Sequence, residues 1–141
     1  MAADDWEAFV KALPPYPVRY SADGYLSKAD PLWMPGQDTG TPLLFGYEAG
    51  TGDSIYFSPK QFFERFLARP WPEGERTPDS IPPACQGNTI NNIAEFFGPH
   101  AHYVTYCLPG SEQYAGMDWA ALRIIRRDDS LLAIVRDAWT P

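Results

Sequence analysis

The sequence predicts a single α+β domain spanning residues 1–141, with a mostly antiparallel, curved sheet and about three helices packed on one face. Three observations lead there. Two pairs of apolar, β-prone runs are separated by short turn sequences, three segments carry apolar residues at helical spacing, and the last two of those segments lie grouped between the paired runs. A hydrophobic fraction of 45% against 21% charged residues is that of a folding chain rather than a disordered one. The 15 prolines and 11 glycines keep the elements short and the loops long and stiff.

In chain order, residues 4–13 read as a helix: Asp4, Asp5 and Glu7 suit its positive N-terminal end, and Trp6, Phe9, Val10 and Leu13 share one face. Pro14 and Pro15 stop it. Residues 16–41 combine aromatic rings with many prolines and glycines, which predicts a short strand near Val18 followed by a long ordered loop. Leu43 to Glu48 and Ser54 to Ser58 then form a hairpin around the loop 49–53. Ser58 is placed to cap a helix with Pro59 in its first turn and Phe62, Phe63, Phe66 and Leu67 as an apolar stripe. Pro70 and Pro72 end that helix, and residues 73–80 follow as a polar surface loop. A further helix is expected from Asn88, with Ile90, Ile93, Ala94 and Phe97 on one face and Gly98-Pro99 as its stop.

The last third reads as sheet. Ala101 to Leu108 alternates as a strand, and Trp119 to Arg127 with Leu131 to Asp137 form a hairpin around Asp128-Asp129-Ser130. A turn holding only Asp128 and Asp129 sets Ile125 opposite Leu132 and Arg123 opposite Ile134. Aliphatic groups on both faces place this hairpin in the interior of the sheet rather than at its edge. The segments Trp119 to Arg123 and Ala133 to Thr140 resemble the closing hairpin of some uncharacterised bacterial domains, a hairpin that recurs in cone-shaped α+β folds similar to nuclear transport factor 2. That resemblance implies a pocket enclosed by the sheet, although those folds begin with several helices and this chain does not.

Eleven basic residues against 18 acidic ones give a net charge of −7, which argues against nucleic acid and against an anionic membrane surface as partners. A basic protein is the partner this charge suits. No apolar stretch is long enough to span a bilayer, and the opening residues show no basic patch or apolar core of an export signal. The chain as written therefore reads as cytoplasmic, with an envelope or secreted location if an export signal preceded Met1. Cys85 and Cys107 permit one disulfide but no disulfide framework.

Chemistry-bearing motifs are sparse. In His100-Ala101-His102 the two imidazoles are two residues apart on a strand and face the same way, so a third ligand would complete a metal site. Cys107 falls on the opposite face of that strand from the histidines, which disfavours a thiolate–imidazole pair. Ser111 lacks the glycine pattern of a nucleophile elbow. The amide-rich run Gln86 to Asn92 reads as a helix cap with solvated side chains.

Tyr16, Tyr20, Tyr25, Trp33 and Tyr47 are interleaved with Asp23, Asp30, Asp38, Glu48 and Asp53, against which that stretch sets only Arg19 and Lys28. Rings among carboxylates are the composition of a docking surface for a basic protein. The sequence thus favours a protein-binding or inhibitor module, similar in character to small acidic bacterial immunity proteins, with no cofactor and no catalytic residue. One alternative is a small pocket-type hydrolase or metal-dependent enzyme using His100 and His102. Another is an envelope ligand carrier. Oligomeric state is left open.

Overall fold

The computed structural model describes residues 6–48, 51–68, 71, 77–78, 85, 92–115 and 117–138. Along the chain these residues form α1 (Trp6–Ala12), β1 (Val18–Ser21), β2 (Leu32–Trp33), β3 (Leu43–Tyr47), β4 (Ser54–Phe57) and α2 (Pro59–Phe62). There follow β5 (Thr77–Pro78), α3 (Ile93–Phe97), β6 (Ala101–Leu108), β7 (Ala120–Arg127) and β8 (Ser130–Ala138). The main sheet runs in the order β2-β1-β8-β7-β6-β5, and β3 and β4 form a separate hairpin. All pairings are antiparallel except that of β1 with β8, which sets Tyr20 beside Ile134 in parallel. The α+β class and the interior position of the closing hairpin are as the sequence implies.

The register of that hairpin differs from expectation. The turn does hold Asp128 and Asp129, with Arg127 opposite Ser130 and Arg126 opposite Leu131, but Ile125 then faces Ala133 and Arg123 faces Val135. A β-bulge after Ile125 takes Leu132 out of the ladder, and everything beyond shifts by one. Leu131 and Ile134 consequently face the same side of the sheet although they are three residues apart.

The two faces bury different things. On one, Val18, Tyr20, Leu122 and Ile134 meet α1, the β3–β4 hairpin and the rings after Ser58. On the other, Ile125, Ala133 and Val135 meet Leu26 and Ile93 of α3, and Cys107 and Ala121 meet Trp119 and Cys85. The first core is largely aromatic. Phe45 stacks on Phe62 at 4.4 Å, and Phe9 of α1 packs on Phe63 at 4.8 Å.

Local chemistry explains the helices. Pro14 and Pro15 limit α1, which ends at Ala12. Ser58 caps α2 in a reciprocal box, its hydroxyl accepting from the Gln61 N–H while the Gln61 side chain accepts from the Ser58 N–H. The expected helix continues from Phe63 to Leu67 as a π-helical turn, closed by Ala68 N–H donating to the Phe63 carbonyl, and this wider turn seals Phe63, Phe66 and Leu67 together. α3 begins at Ile93; the part of the expected helix at 88–91 lies outside the described residues. So does most of the expected surface loop 73–80, of which Thr77 and Pro78 pair with β6 as an edge strand, where a proline is tolerated.

Candidate functional site

The five rings singled out by the sequence separate into two groups. Tyr20 and Trp33 are 4% exposed and belong to the aromatic core, so their expected place on a docking surface is overturned. The reason is register: Val18 opposes Trp33, and Tyr20 lies beside Ile134, which turns both rings to the face that α1 and α2 cover. Trp33 also packs 5.5 Å from Trp6 and donates its indole N–H to the Asp38 carbonyl. Burial holds the Tyr20 hydroxyl well above the usual phenol pKa. Tyr16 is half-buried against the same core.

Tyr25 and Tyr47 are outside, 48% and 52% exposed, and are joined there by Tyr56 at 58%. Tyr56 is not among the rings expected on the surface, although the alternation in Ser54-Ile55-Tyr56-Phe57 marks it as the outward residue of a half-buried strand. Leu44 pairs with Tyr56 and Tyr47 with Ser54, which sets both tyrosines on the outer face of the hairpin.

One carboxylate ties Tyr25 to Tyr47. Asp23 Oδ1 accepts from the Tyr25 N–H at 3.2 Å and from the Ser21 hydroxyl at 2.9 Å, while Oδ2 accepts from the Tyr47 N–H at 3.3 Å. Gly46 makes the approach possible: its φ is +142°, and a Cβ there would stand 2.5 Å from Asp23 Oδ2. The Ala22 N–H donates to the Phe45 carbonyl beside this contact, so the β1 end and the hairpin are joined by backbone as well.

The other acids have varied surroundings. Glu48 follows Tyr47, lies 4.0 Å from Arg136, and donates its N–H to the carbonyl of exposed Asp53. Asp38 shapes its own loop, where the Thr41 hydroxyl and the Gly40 and Thr41 N–H groups hold its carboxyl below the usual range. Asp30 accepts from the Ser27 N–H, and burial pushes its carboxyl up to about 6. Asp30 and Asp38 therefore belong to the loop before and after β2 rather than to the ring cluster.

The alternative site built on the histidines does not converge. His100 and His102 are both exposed, and His102 pairs across the ladder with Arg126, a cation that disfavours a metal ion alongside. Among the described residues no group of three or more His, Cys, Asp or Glu comes together. Cys107 is joined to Cys85 in a disulfide, the bridge the sequence left open, with Cα atoms 5.8 Å apart. In that state it is no nucleophile. Ser111 bonds Asp118 through hydroxyl and N–H, and the N–H bond above all keeps that carboxyl below its usual range.

Two side-chain pairings and the lining of a cavity escaped sequence reasoning. Asn92 is buried, and its side chain pairs with both the N–H and the carbonyl of Leu26 instead of standing in solvent as a cap. Arg123 and Asp137 form a buried ion pair. A cavity of about 340 Å³ opens between α1 and the sheet, walled mainly by apolar side chains, with Tyr106 and Arg126 as its polar members. No single-residue signal marks these, because each depends on segments that only the fold brings together.

No protein-family model, curated protein or solved structure matches this chain. Among the described residues, no helix is long and apolar enough to cross a membrane.

Proposed function

We propose that this domain is a protein-binding or inhibitor module that docks a basic partner through Tyr25, Tyr47 and Tyr56, flanked by Asp23, Glu48 and Asp53. The observation that carries the reading is the Asp23 carboxylate, which holds the backbones of Tyr25 and Tyr47 at once. Two exposed rings fixed to one anchor lose little freedom on binding, and tyrosines dominate the energetics of interfaces of this kind. A net charge of −7 attracts a basic surface before contact. The action is steric: the rings seat in the partner and the domain covers what lies beneath, as small acidic immunity proteins do with a toxin.

The test is affinity capture from lysate of the source cells, comparing the wild-type domain with Tyr47→Ala/Tyr56→Ala. Expected is retention of a basic protein that weakens as salt rises and falls at least about tenfold in the variant. Retention of an acidic protein, or retention indifferent to the two substitutions while both domains melt at the same temperature, overturns the reading.

A further inference from the structure

The cavity beneath α1 lies apart from the docking surface, and its chemistry is different. Phe9 of α1 and Leu13 just after it form one wall, and Leu122, Ile124, Leu131 and Ile134 of the sheet form the other. The bulge after Ile125 is what gives this wall its breadth, since it turns Leu131 and Ile134 to the same side. Bulges beside ligand sites commonly re-aim side chains in this way. A volume of about 340 Å³ falls within the range of small-molecule sites.

Two polar groups break the apolar lining. Tyr106 is half-buried opposite Leu122, and exposed Arg126 stands opposite His102 on the neighbouring strand. An arginine so placed lays its stem along the wall and keeps its guanidinium at the mouth. In a chain with 18 acidic residues, the charged member of this lining is a cation. Apolar walls with one guanidinium at the rim complement a molecule with an apolar body and an anionic end.

We infer that this cavity binds a small amphipathic carboxylate, its apolar body between α1 and the sheet and its carboxylate on Arg126. A recess of this kind, half open between a helix and a sheet, fits a small molecule better than a flat face of a second copy. The inference goes beyond the docking reading and does not depend on it.

Isothermal titration with decanoate, decanol and decylamine, each below its aggregation concentration, tests it. Expected is one decanoate site per chain, weaker binding of decanol and the weakest of decylamine. Arg126→Gln lowers decanoate affinity about tenfold and leaves decanol unchanged, because only the charge-assisted contact is lost. Ala12→Trp, at an exposed helix position on the cavity lip, removes binding of both without lowering the melting temperature. Tyr47→Ala/Tyr56→Ala binds decanoate as the wild type does, which separates this outcome from that of the docking test. Absence of decanoate binding overturns the inference. So does equal affinity for the three probes, insensitivity to Arg126→Gln, binding that survives Ala12→Trp, or a dimer that must dissociate before decanoate enters.

Discussion

Arg123 and Asp137 meet at 3.0 Å from diagonal positions on β7 and β8, their side chains only 3% and 5% exposed. Burial pushes the Asp137 carboxyl up, and the Arg123 charge opposes that shift without cancelling it. The Arg123 Nε has no partner among the described residues. A pair of this kind fixes geometry more than it adds stability, because two charges have left water for each other. Removing one partner is a different matter. Arg123→Met strands a buried carboxylate and is expected to cost about 3–5 kcal/mol in urea unfolding, while Arg123→Met/Asp137→Leu recovers most of the loss.

Asp137 also constrains the loop after β1. Gly24 has φ of +79°, and a Cβ there would lie 2.5 Å from the Asp137 carboxyl carbon. Gly36 has φ of +95° with nothing within 4 Å of the same position. Gly36→Ala therefore carries only the backbone penalty, about 1 kcal/mol, and Gly24→Ala carries a clash in addition. Thermal melts of the two variants are expected to differ by several degrees, with Gly24→Ala the lower.

Asp30 gives stability a pH dependence. Its carboxyl titrates at about 6 in the folded chain against an ordinary 3.8, so between those values the native state keeps a proton that the unfolded state has released. Stability accordingly falls as pH rises from about 4 to about 6, and the loss persists above that window. Because the side chain is only partly buried, solvent screening reduces the effect to on the order of 1 kcal/mol. Asp30→Asn keeps an acceptor for the Ser27 N–H and is expected to flatten this part of the profile, raising stability at pH 7 relative to the wild type. Urea midpoints at pH 4, 5, 6 and 7 measure it.

The Cys85–Cys107 bridge spans a sequence separation of 22. Closing a loop of that length removes unfolded-state freedom worth about 3 kcal/mol. Cys85→Ala/Cys107→Ala should be less stable by roughly that amount, and a reducing agent should lower the melting temperature of the wild type while leaving the variant untouched. Bridges of this kind persist in oxidising compartments, so the expected cytoplasmic setting and the disulfide pull in opposite directions.

Local chemistry was readable where neighbours in sequence decide it. Ser58 with Pro59 announces α2, Asp128-Asp129 announces the last turn, and the aliphatic runs around that turn announce an interior hairpin. The bulge after Ile125 was not readable, because the alternative registers bury similar aliphatic groups. The fate of the tyrosines shows the same limit. Tyr20 and Tyr25 stand five residues apart, yet pairing with β8 seals the first ring while the second, after the turn at Gly24, lies outside. Buried Asn92 was missed because its partner, the Leu26 backbone, is remote in sequence.

The parallel contact of Arg19 with Ala133 has a consequence for how the molecule is made. β1 can take its place only after β8 has been synthesised, and β8 is also the strand that β7 needs on its other edge. Assembly must wait for the far segment to emerge from the ribosome, and a nascent chain halted before Ser130 presents Val18, Tyr20 and Leu122 to whatever chaperone is near.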